Sequence, residues 1–273
     1  MIVVTGATGT VGRHVVDELV AAGAEVRALT RDPDSARLPE GVRVARTADL
    51  PLDGATAVFL NAAVVWQTGP AELLREAARA GVRRIVTLSS SAAAEPGPGN
   101  VIGNHHHELE TEIEGSGLAW THVRPGAFAS NALQWAAQIR KGDVVYGPYA
   151  RAHTAPIHEA DIAAVAARAL LSEDCTGQKP LLSGPRSLTF AEQTAILGEA
   201  LGRPLRYEEI PAEAAREAMT GGGVPEAIAD SLLRMYAECV DRPAEISPET
   251  ERITGRPGRT FAQWATEHAA AFS

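Results

Sequence analysis

Ile2-Val3-Val4-Thr5-Gly6-Ala7-Thr8-Gly9-Thr10-Val11-Gly12-Arg13 opens the chain: an apolar, β-branched run passes straight into three glycines at every third position and then into an amphipathic stretch. Strand, glycine turn and helix in that order present a helix N-terminus to an anionic ligand at the edge of a parallel sheet. Gly6 permits the tight turn, Gly9 lets backbone come close to a pyrophosphate, and Gly12 lets the helix pack closely on the strand. Free N–H groups and the dipole at the helix start favour negative charge there. A glycine triplet alone also fits an ordinary β-α turn; its place between a strand and a helix is what points to a dinucleotide. Gly6, Thr8, Gly9, Thr10, Val11 and Gly12 are therefore assigned to cofactor binding.

Outward from this stretch, short apolar runs alternate with helical-period segments, the pattern of β-α-β units and a parallel sheet. The predicted strands are 2–5, 25–29, 42–45, 57–60, 84–88 and 119–123, nearly continuous in apolar residues as befits strands covered on both faces. Predicted helices at 11–22, 70–80 and 104–115 each close on a glycine, Gly23, Gly81 and Gly115 or Gly117. Pro70 suits a first helical turn, with Thr68 before it as a cap. Beyond Leu188 helices dominate, at 190–201, 212–219, 225–240 and 260–272. The fold class read from this is α/β: a Rossmann-type doubly wound parallel sheet with a smaller, mainly helical C-terminal substrate part. The division expected is 1–155 for the dinucleotide-binding core and 156–273 for a part that completes the sheet and forms the substrate cleft, in one continuous unit. Gly221-Gly222-Gly223 reads as a loop or as the hinge of a helical lid.

The end of the second strand, Val26-Arg27-Ala28-Leu29-Thr30-Arg31-Asp32-Pro33, bears on cofactor choice. An NAD site offers a carboxylate to the ribose 2′-hydroxyl about twenty residues after the loop, whereas a 2′-phosphate is better met by arginine. Arg31 favours NADP; Asp32, one residue on, leaves NAD possible.

Composition excludes several classes. The formal charge is -9 without a Lys/Arg-rich run, which argues against a nucleic-acid face. Two distant cysteines, Cys175 and Cys239, fit neither a disulfide framework nor a zinc site and suit a reducing cytoplasm. The N-terminus reads as a strand and not a signal peptide, and no stretch is apolar enough to span a bilayer. The implied partner is a small hydrophobic or aromatic substrate, with no nucleic acid and no membrane, on a monomer or homodimer. Richness in Ala, Gly, Arg and Pro suits a high-GC bacterium and a role in secondary metabolism.

The glycine loop, Thr30-Arg31-Asp32-Pro33, Phe59-Leu60-Asn61-Ala62 and Ser89-Ser90-Ser91 give the chain a wider likeness, continued by Ser116-Gly117-Leu118-Ala119-Trp120-Thr121. Arg124-Pro125-Gly126-Ala127-Phe128 with Asn131, Asp161-Ile162-Ala163 and Thr254-Gly255-Arg256-Pro257 with Thr260-Phe261 and Trp264 extend it. In these the chain resembles the atypical, NmrA-like and NAD(P)H-quinone-reductase-like branch of the short-chain dehydrogenase/reductase superfamily over nearly its whole length. The resemblance implies that Asn61 and Ala62 line the adenosine half of the cofactor. It also implies that Ser89, the loop after Ser91 and the segment around Pro125, Gly126 and Phe128 frame the nicotinamide.

Typical members of that superfamily use a serine and a Tyr-x-x-x-Lys pair, which this chain lacks. Anchored on Ser116-Gly117, the corresponding helix Gly103-Asn104-His105-His106-His107-Glu108-Leu109-Glu110 places His106 at the tyrosine position and Glu110 at the lysine position. One helical turn apart, they share a face, and a carboxylate there raises an imidazole pKa toward that of a general acid near neutrality. Packing or exposed histidine is the competing reading, and consecutive histidines lack the i, i+4 pairing of a helical zinc site, so no metal is assigned. Ser91 takes the position of the substrate-orienting serine, or simply caps the strand end. Tyr146, Tyr149, His153 and His158 are further candidates for the missing tyrosine, and Asp161 is read as a helix N-cap. Trp66, Trp135 and Phe128 supply an aromatic wall or core packing. The function expected is an NAD(P)H-dependent oxidoreductase, NADPH preferred, reducing a hydrophobic acceptor such as a quinone or an aromatic polyketide-like ketone or enone. The alternative is a non-catalytic NADP(H) redox sensor; a sugar-nucleotide epimerase is disfavoured because its chemistry relies on the absent tyrosine and lysine.

Overall fold

A computed structural model describes residues 1–273. In chain order the first half contains β1 (Ile2–Thr5), α1 (Gly12–Ala21), β2 (Val26–Thr30), β3 (Arg43–Arg46), β4 (Ala57–Asn61), α2 (Ala71–Arg79), β5 (Arg84–Leu88), α3 (Val101–Glu114) and β6 (Ala119–Pro125). The second half adds α4 (Ala136–Ile139), β7 (Val144–Gly147), β8 (His153–Thr154), α5 (Glu159–Leu171), β9 (Leu181–Leu182), β10 (Leu188–Thr189) and α6 (Phe190–Leu201). It ends with β11 (Arg206–Glu209), α7 (Ala212–Gly221), α8 (Glu226–Glu238), α9 (Glu249–Thr254) and α10 (Phe261–Glu267).

Seven strands form one sheet in the order β3-β2-β1-β4-β5-β6-β9, every pair parallel. Alternate residues of the central strands are buried on opposite faces, which is why these segments read as unbroken apolar runs. Val4, Phe59 and Val86 pack with Val15, Val16 and Leu19 of α1 and with Ile162 and Val165 of α5. Val3, Val58, Leu60 and Ile85 pack on the other face with Leu73 of α2 and with Leu109 and Ile113 of α3. The doubly wound sheet expected from sequence is the fold, and the six predicted strands agree with β1 to β6 to within two residues at each end.

The strand order reverses beside β1, whose neighbours are β2 on one side and β4 on the other, so a crevice opens beyond their carboxyl ends. Thr5 stitches that crevice together, its hydroxyl donating to the Phe59 carbonyl at 3.0 Å and accepting from the Asn61 N–H at 2.9 Å. The glycine loop follows at once. Gly6 has φ +61°, a left-handed conformation that favours glycine. Gly12 meets the loop and not the strand, correcting the sequence reading: a Cβ there would lie 2.1 Å from the Gly6 carbonyl oxygen.

A third apolar cluster, with Trp135, Phe190, Leu197, Phe261, Trp264 and Phe272, organises the C-terminal part. Two small sheets brace it, β8 with β10 antiparallel and β7 with β11 parallel. α6 starts and ends where predicted because Thr189 and Glu192 form a reciprocal capping box and Gly202 adopts φ +64°. Gly221 ends α7, and Gly222 and Gly223 form the turn of the α7–α8 hairpin, with Val224 N–H bonded to the Met219 carbonyl at 3.0 Å.

Two capping expectations are overturned. Pro70 itself occupies the cap position of α2, while the Thr68 hydroxyl donates to the Gly69 carbonyl at 3.3 Å. Asp161 lies inside α5, whose cap is His158 accepting from Ala160 N–H at 3.1 Å. The Asp161 carboxylate instead accepts from the Arg259 N–H at 2.6 Å and pairs with its guanidinium, tethering the C-terminal segment to α5.

Gly12→Ala forces a methyl against a backbone oxygen and is expected to lower stability by about 1–3 kcal/mol, the usual cost of overpacking. Gly9→Ala, whose Cβ would stand 3.1 Å from the same oxygen, should cost less. Urea midpoints of the two variants check the ranking.

Candidate active site

The carboxyl ends of β1, β4, β5 and β6 converge on a cleft of about 540 Å³. Thr10 and Val11 line it from the glycine loop, Asn61 and Ala62 after β4, Ser89 and Ser90 after β5, and Pro125, Gly126 and Phe128 after β6. His106 enters from α3 and Trp66 from the segment between β4 and α2. All lining residues fall between Thr10 and Leu133; the part from residue 156 onward, expected to form the substrate cleft, does not line it.

The loop fits a dinucleotide on its own geometry. The N–H groups of Thr10, Val11 and Gly12 find no acceptor within the chain, leaving three donors at the start of α1. Bulk at Gly6 would also press on Asn61, whose Nδ2 lies 2.9 Å from where a Cβ would stand. Thr8 faces β2 instead of the cleft, its hydroxyl 3.0 Å from that of Thr30. Arg13 folds back on the loop and donates to the Thr8 carbonyl at 3.1 Å. Arg31 is exposed just past β2, its carbonyl accepting from the Arg46 guanidinium at 3.3 Å. Two arginines therefore gather at the place where the ribose 2′-substituent of a dinucleotide is recognised. Asp32 beside them is exposed, and a hydrogen bond from Ser35 holds its carboxyl below the ordinary value.

His106 and Glu110 part company. Burial first and the neighbouring His105 second push the His106 imidazole down to about 4, against an opposing pull from Glu110. His106 is therefore neutral at pH 7, the reverse of the rise expected from spacing. Glu110 itself is fully buried and accepts from the Ser89 hydroxyl at 2.5 Å and from Arg124 Nε at 2.9 Å. A second bond from Arg124 Nη2 makes the pair bidentate. Burial alone would raise the Glu110 carboxyl, and the hydrogen bonds from Arg124 and Ser89 reverse that, leaving it below the ordinary value. Trp66 lies over His105 at 3.7 Å between ring centres, tilted by 35°, and meets His106 edge-on at 5.6 Å.

Arg124 was read from sequence only as part of a turn. An arginine in an otherwise buried strand must find a buried anion, and that is the signal which would have paired it with Glu110. Lys179, also missed, sits 2.7 Å from Glu114 and 3.6 Å from Glu110. Glu110, Glu114 and His122 approach within 4.8 Å of one another, and the charges of Lys179 and Arg124 already balance the two carboxylates there.

The remaining candidates disperse. Ser91 starts a 3-10 turn and does not line the cleft; Ser89 and Ser90 do, with the Ser90 hydroxyl accepting from Ala92 N–H at 3.2 Å. Tyr146 lines a separate cavity, and Tyr149 packs on the C-terminal cluster. His153 lies 3.1 Å from the Ser187 hydroxyl, and His158 lies 3.1 Å from Glu267. None of these four can replace the missing tyrosine in the cleft. Trp66 and Phe128 do supply aromatic walls, while Trp135 is buried and lines the separate cavity. The cleft is thus lined by serines, asparagines and apolar groups, and His106 is its one ionisable side chain.

A family model described as NAD(P)H-binding matches residues 6–173. The chain is 40% identical to the (4-alkanoyl-5-oxo-2,5-dihydrofuran-3-yl)methyl phosphate reductase of Streptomyces griseus, over 100% of this chain and 99% of that protein. It is 39% identical to the NAD(P)H azoreductase of Xenophilus azovorans, with the same coverage of 100% and 99%. The crystal structure of an NADPH-dependent quinone oxidoreductase from Escherichia coli superposes with a TM-score of 0.81 at 24% identity, over 98% of this chain and 99% of the other. No helix is long and apolar enough to cross a membrane.

Glu110→Ala leaves the Arg124 guanidinium buried without a partner and is expected to cost about 3–5 kcal/mol of stability. Because the folded carboxyl is held below its ordinary value, its contribution is present above pH 4.5 and is lost as pH falls below that value. Urea unfolding of wild type and variant should differ near neutrality and converge in acid.

Proposed function

The chain belongs to the NAD(P)H-binding family, and on that premise we propose that it reduces neutral, conjugated acceptors, namely quinones, azo compounds or enones, with NADPH as the preferred donor. It is an NAD(P)H-dependent oxidoreductase of the atypical short-chain kind, as the resemblance implied. The two relatives near 40% identity over the whole chain are both named as reductases, so catalysis is favoured over the sensor reading.

The observation that carries the choice of acceptor is the cleft's lack of a proton donor. Reduction of an isolated ketone leaves an alkoxide, a strong base that the superfamily's tyrosine protonates as it forms. A quinone, an azo group or an enone spreads the same charge over a conjugated system, so protonation by water can follow. When bound, the reduced nicotinamide supplies the hydride, and the protein supplies position. The amides of Thr10, Val11 and Gly12 hold the pyrophosphate, Arg31 and Arg46 meet the 2′-phosphate, and Trp66 and Phe128 flank a planar acceptor. Asn131, Ser90 and the neutral His106 offer hydrogen bonds to its oxygen or nitrogen. Charge develops there during reduction, so donors already in place stabilise it. Ser91 and Glu110 act from behind this surface, Glu110 by fixing Ser89.

The Streptomyces relative is named for a phosphorylated enone. No lysine or arginine lines this cleft, so with the loop amides taken by the cofactor a phosphate monoester finds no charged side chain in it, and a neutral acceptor fits better. Both cysteines are free, in keeping with a cytoplasmic setting.

Steady-state NADPH oxidation with a panel of quinones, azo dyes, enones and isolated ketones tests the reading. The conjugated acceptors should turn over and the isolated ketones should not; efficient ketone reduction would refute it. His106→Ala should lower kcat by no more than about tenfold and leave the rate flat between about pH 6 and pH 8, because only a hydrogen bond is lost. Arg31→Ala should raise the KM for NADPH by about tenfold or more while leaving that for NADH nearly unchanged, through loss of a charge-assisted contact.

A further inference from the structure

The α7–α8 hairpin closes on the body of the C-terminal part only at its far end, where Tyr236 meets Phe190 edge-on at 5.0 Å and the Cys239 carbonyl accepts from His153 N–H at 3.0 Å. Between hairpin and body lies a second cavity, of about 460 Å³, walled by Trp135, Phe190, Tyr207, Ile210, Met219 and Tyr236. No charged side chain lines it. Protein interiors are packed to near-crystalline density, and a gap of this size walled by large apolar groups is the form of a small-molecule site. The hairpin is held instead by its edges. α7 buries Ala215 alone and α8 only Ala229 and Leu233. Arg216 of α7 bridges to Glu226 and Asp230 of α8, and Arg234 donates to the Pro98 carbonyl at 3.3 Å. These contacts keep the two helices in place without filling the space beneath them.

Of the polar side chains in the cavity, Gln138 and Tyr207 are committed to the backbone, while Gln134, Tyr146 and Tyr236 are uncharged groups that can face an occupant. Gln138 is bonded both ways to the Tyr146 backbone, and the Tyr207 hydroxyl donates to the Pro148 carbonyl at 2.8 Å. With no charged side chain at hand and walls that are mainly apolar, an occupant must be uncharged and largely apolar.

The cavity shares a wall with the cleft. In the single 3-10 segment Ala129–Trp135, Ser130, Asn131 and Leu133 line the cleft, whereas Gln134 and Trp135 line the cavity. Leu133 is 37% exposed on the boundary, so an apolar chain leaving the cleft meets an apolar surface on its way across. Crossing that wall needs rotatable bonds, which a fused ring system lacks and an alkyl chain has.

We infer that this cavity is a tail subsite: it takes the alkyl chain of an acceptor whose conjugated head lies in the cleft, with the chain passing over Leu133. This rests on the conjugated-acceptor reading above, and it assigns to the C-terminal part the choice of substrate length.

The test measures kcat/KM with NADPH for 2-alkyl-1,4-benzoquinones from methyl to decyl, in wild type and in Ala218→Trp. Ala218 lines the cavity from an exposed position on α7, so added bulk there fills the space without entering the core. Wild type should gain up to about threefold per methylene over part of the series, mainly through KM, and then level off. Ala218→Trp should lose the gain and keep the methyl-quinone value. A saturable change in Trp135 fluorescence on adding decanol, which cannot be reduced, should appear in wild type and vanish in a Trp135→Phe control. Methyl-quinone turnover with no chain-length gain, or an equal gain in the variant, would overturn the inference and leave the function standing. If no quinone turns over, the acceptor reading fails and decanol binding alone decides the cavity: saturable binding supports an apolar-chain site, and its absence overturns it.

Discussion

The missing side chain at Gly12 holds the functional end of the molecule together. It lets the start of α1 close on the Gly6 carbonyl, so the loop doubles back within a few residues of β1. Three amides are then left without acceptors at the point where the strand order reverses. Thr5 fixes β1 to β4 at that same point through the Phe59 carbonyl and the Asn61 amide. Backbone donors, and not side-chain charge, thus make the anion site in a chain whose formal charge is -9.

A second constraint separates structure from chemistry. The helix that carries the superfamily's proton relay is anchored here by a buried carboxylate, Glu110, gripped by Arg124 and Ser89. A buried ion pair of this kind is costly to break and adds little to stability beyond what a well-packed apolar pair would give, so its value lies in fixing α3 against β5 and β6. Burial first, and His105 beside it second, weaken proton binding at His106 more than the nearby Glu110 strengthens it. The cleft retains hydrogen-bond donors and aromatic walls while holding no acid at neutral pH. Such a surface suits acceptors that carry negative charge without help.

The sheet and the loop were legible because they are local: strand-turn-helix order, glycine spacing and unbroken apolar runs each lie within a dozen residues. α6 was legible for the same reason, since Thr189 and Glu192 cap it from three residues apart. What sequence misplaced depends on partners far along the chain. Asp161 has the look of a cap, yet its partner is Arg259 in the C-terminal segment. Glu110 does share a helical face with His106, but an arginine on a different strand outbids the neighbour. Strands β8, β10 and β11 are two to four residues long and pair across distant segments, so no periodicity announces them. Tyr146 and Trp135 were expected near the acceptor, and the fold places them in a separate cavity beyond the wall of the cleft.

The central claim is that the protein reduces its acceptor without donating a proton in the same step. Isotope effects on quinone reduction, measured with deuterated NADPH in water and in heavy water, test it most directly. The account predicts a primary effect from the deuterated donor and no solvent effect on that step. A solvent effect that multiplies the primary one would mean that a proton moves in the same step as the hydride, and would contradict it.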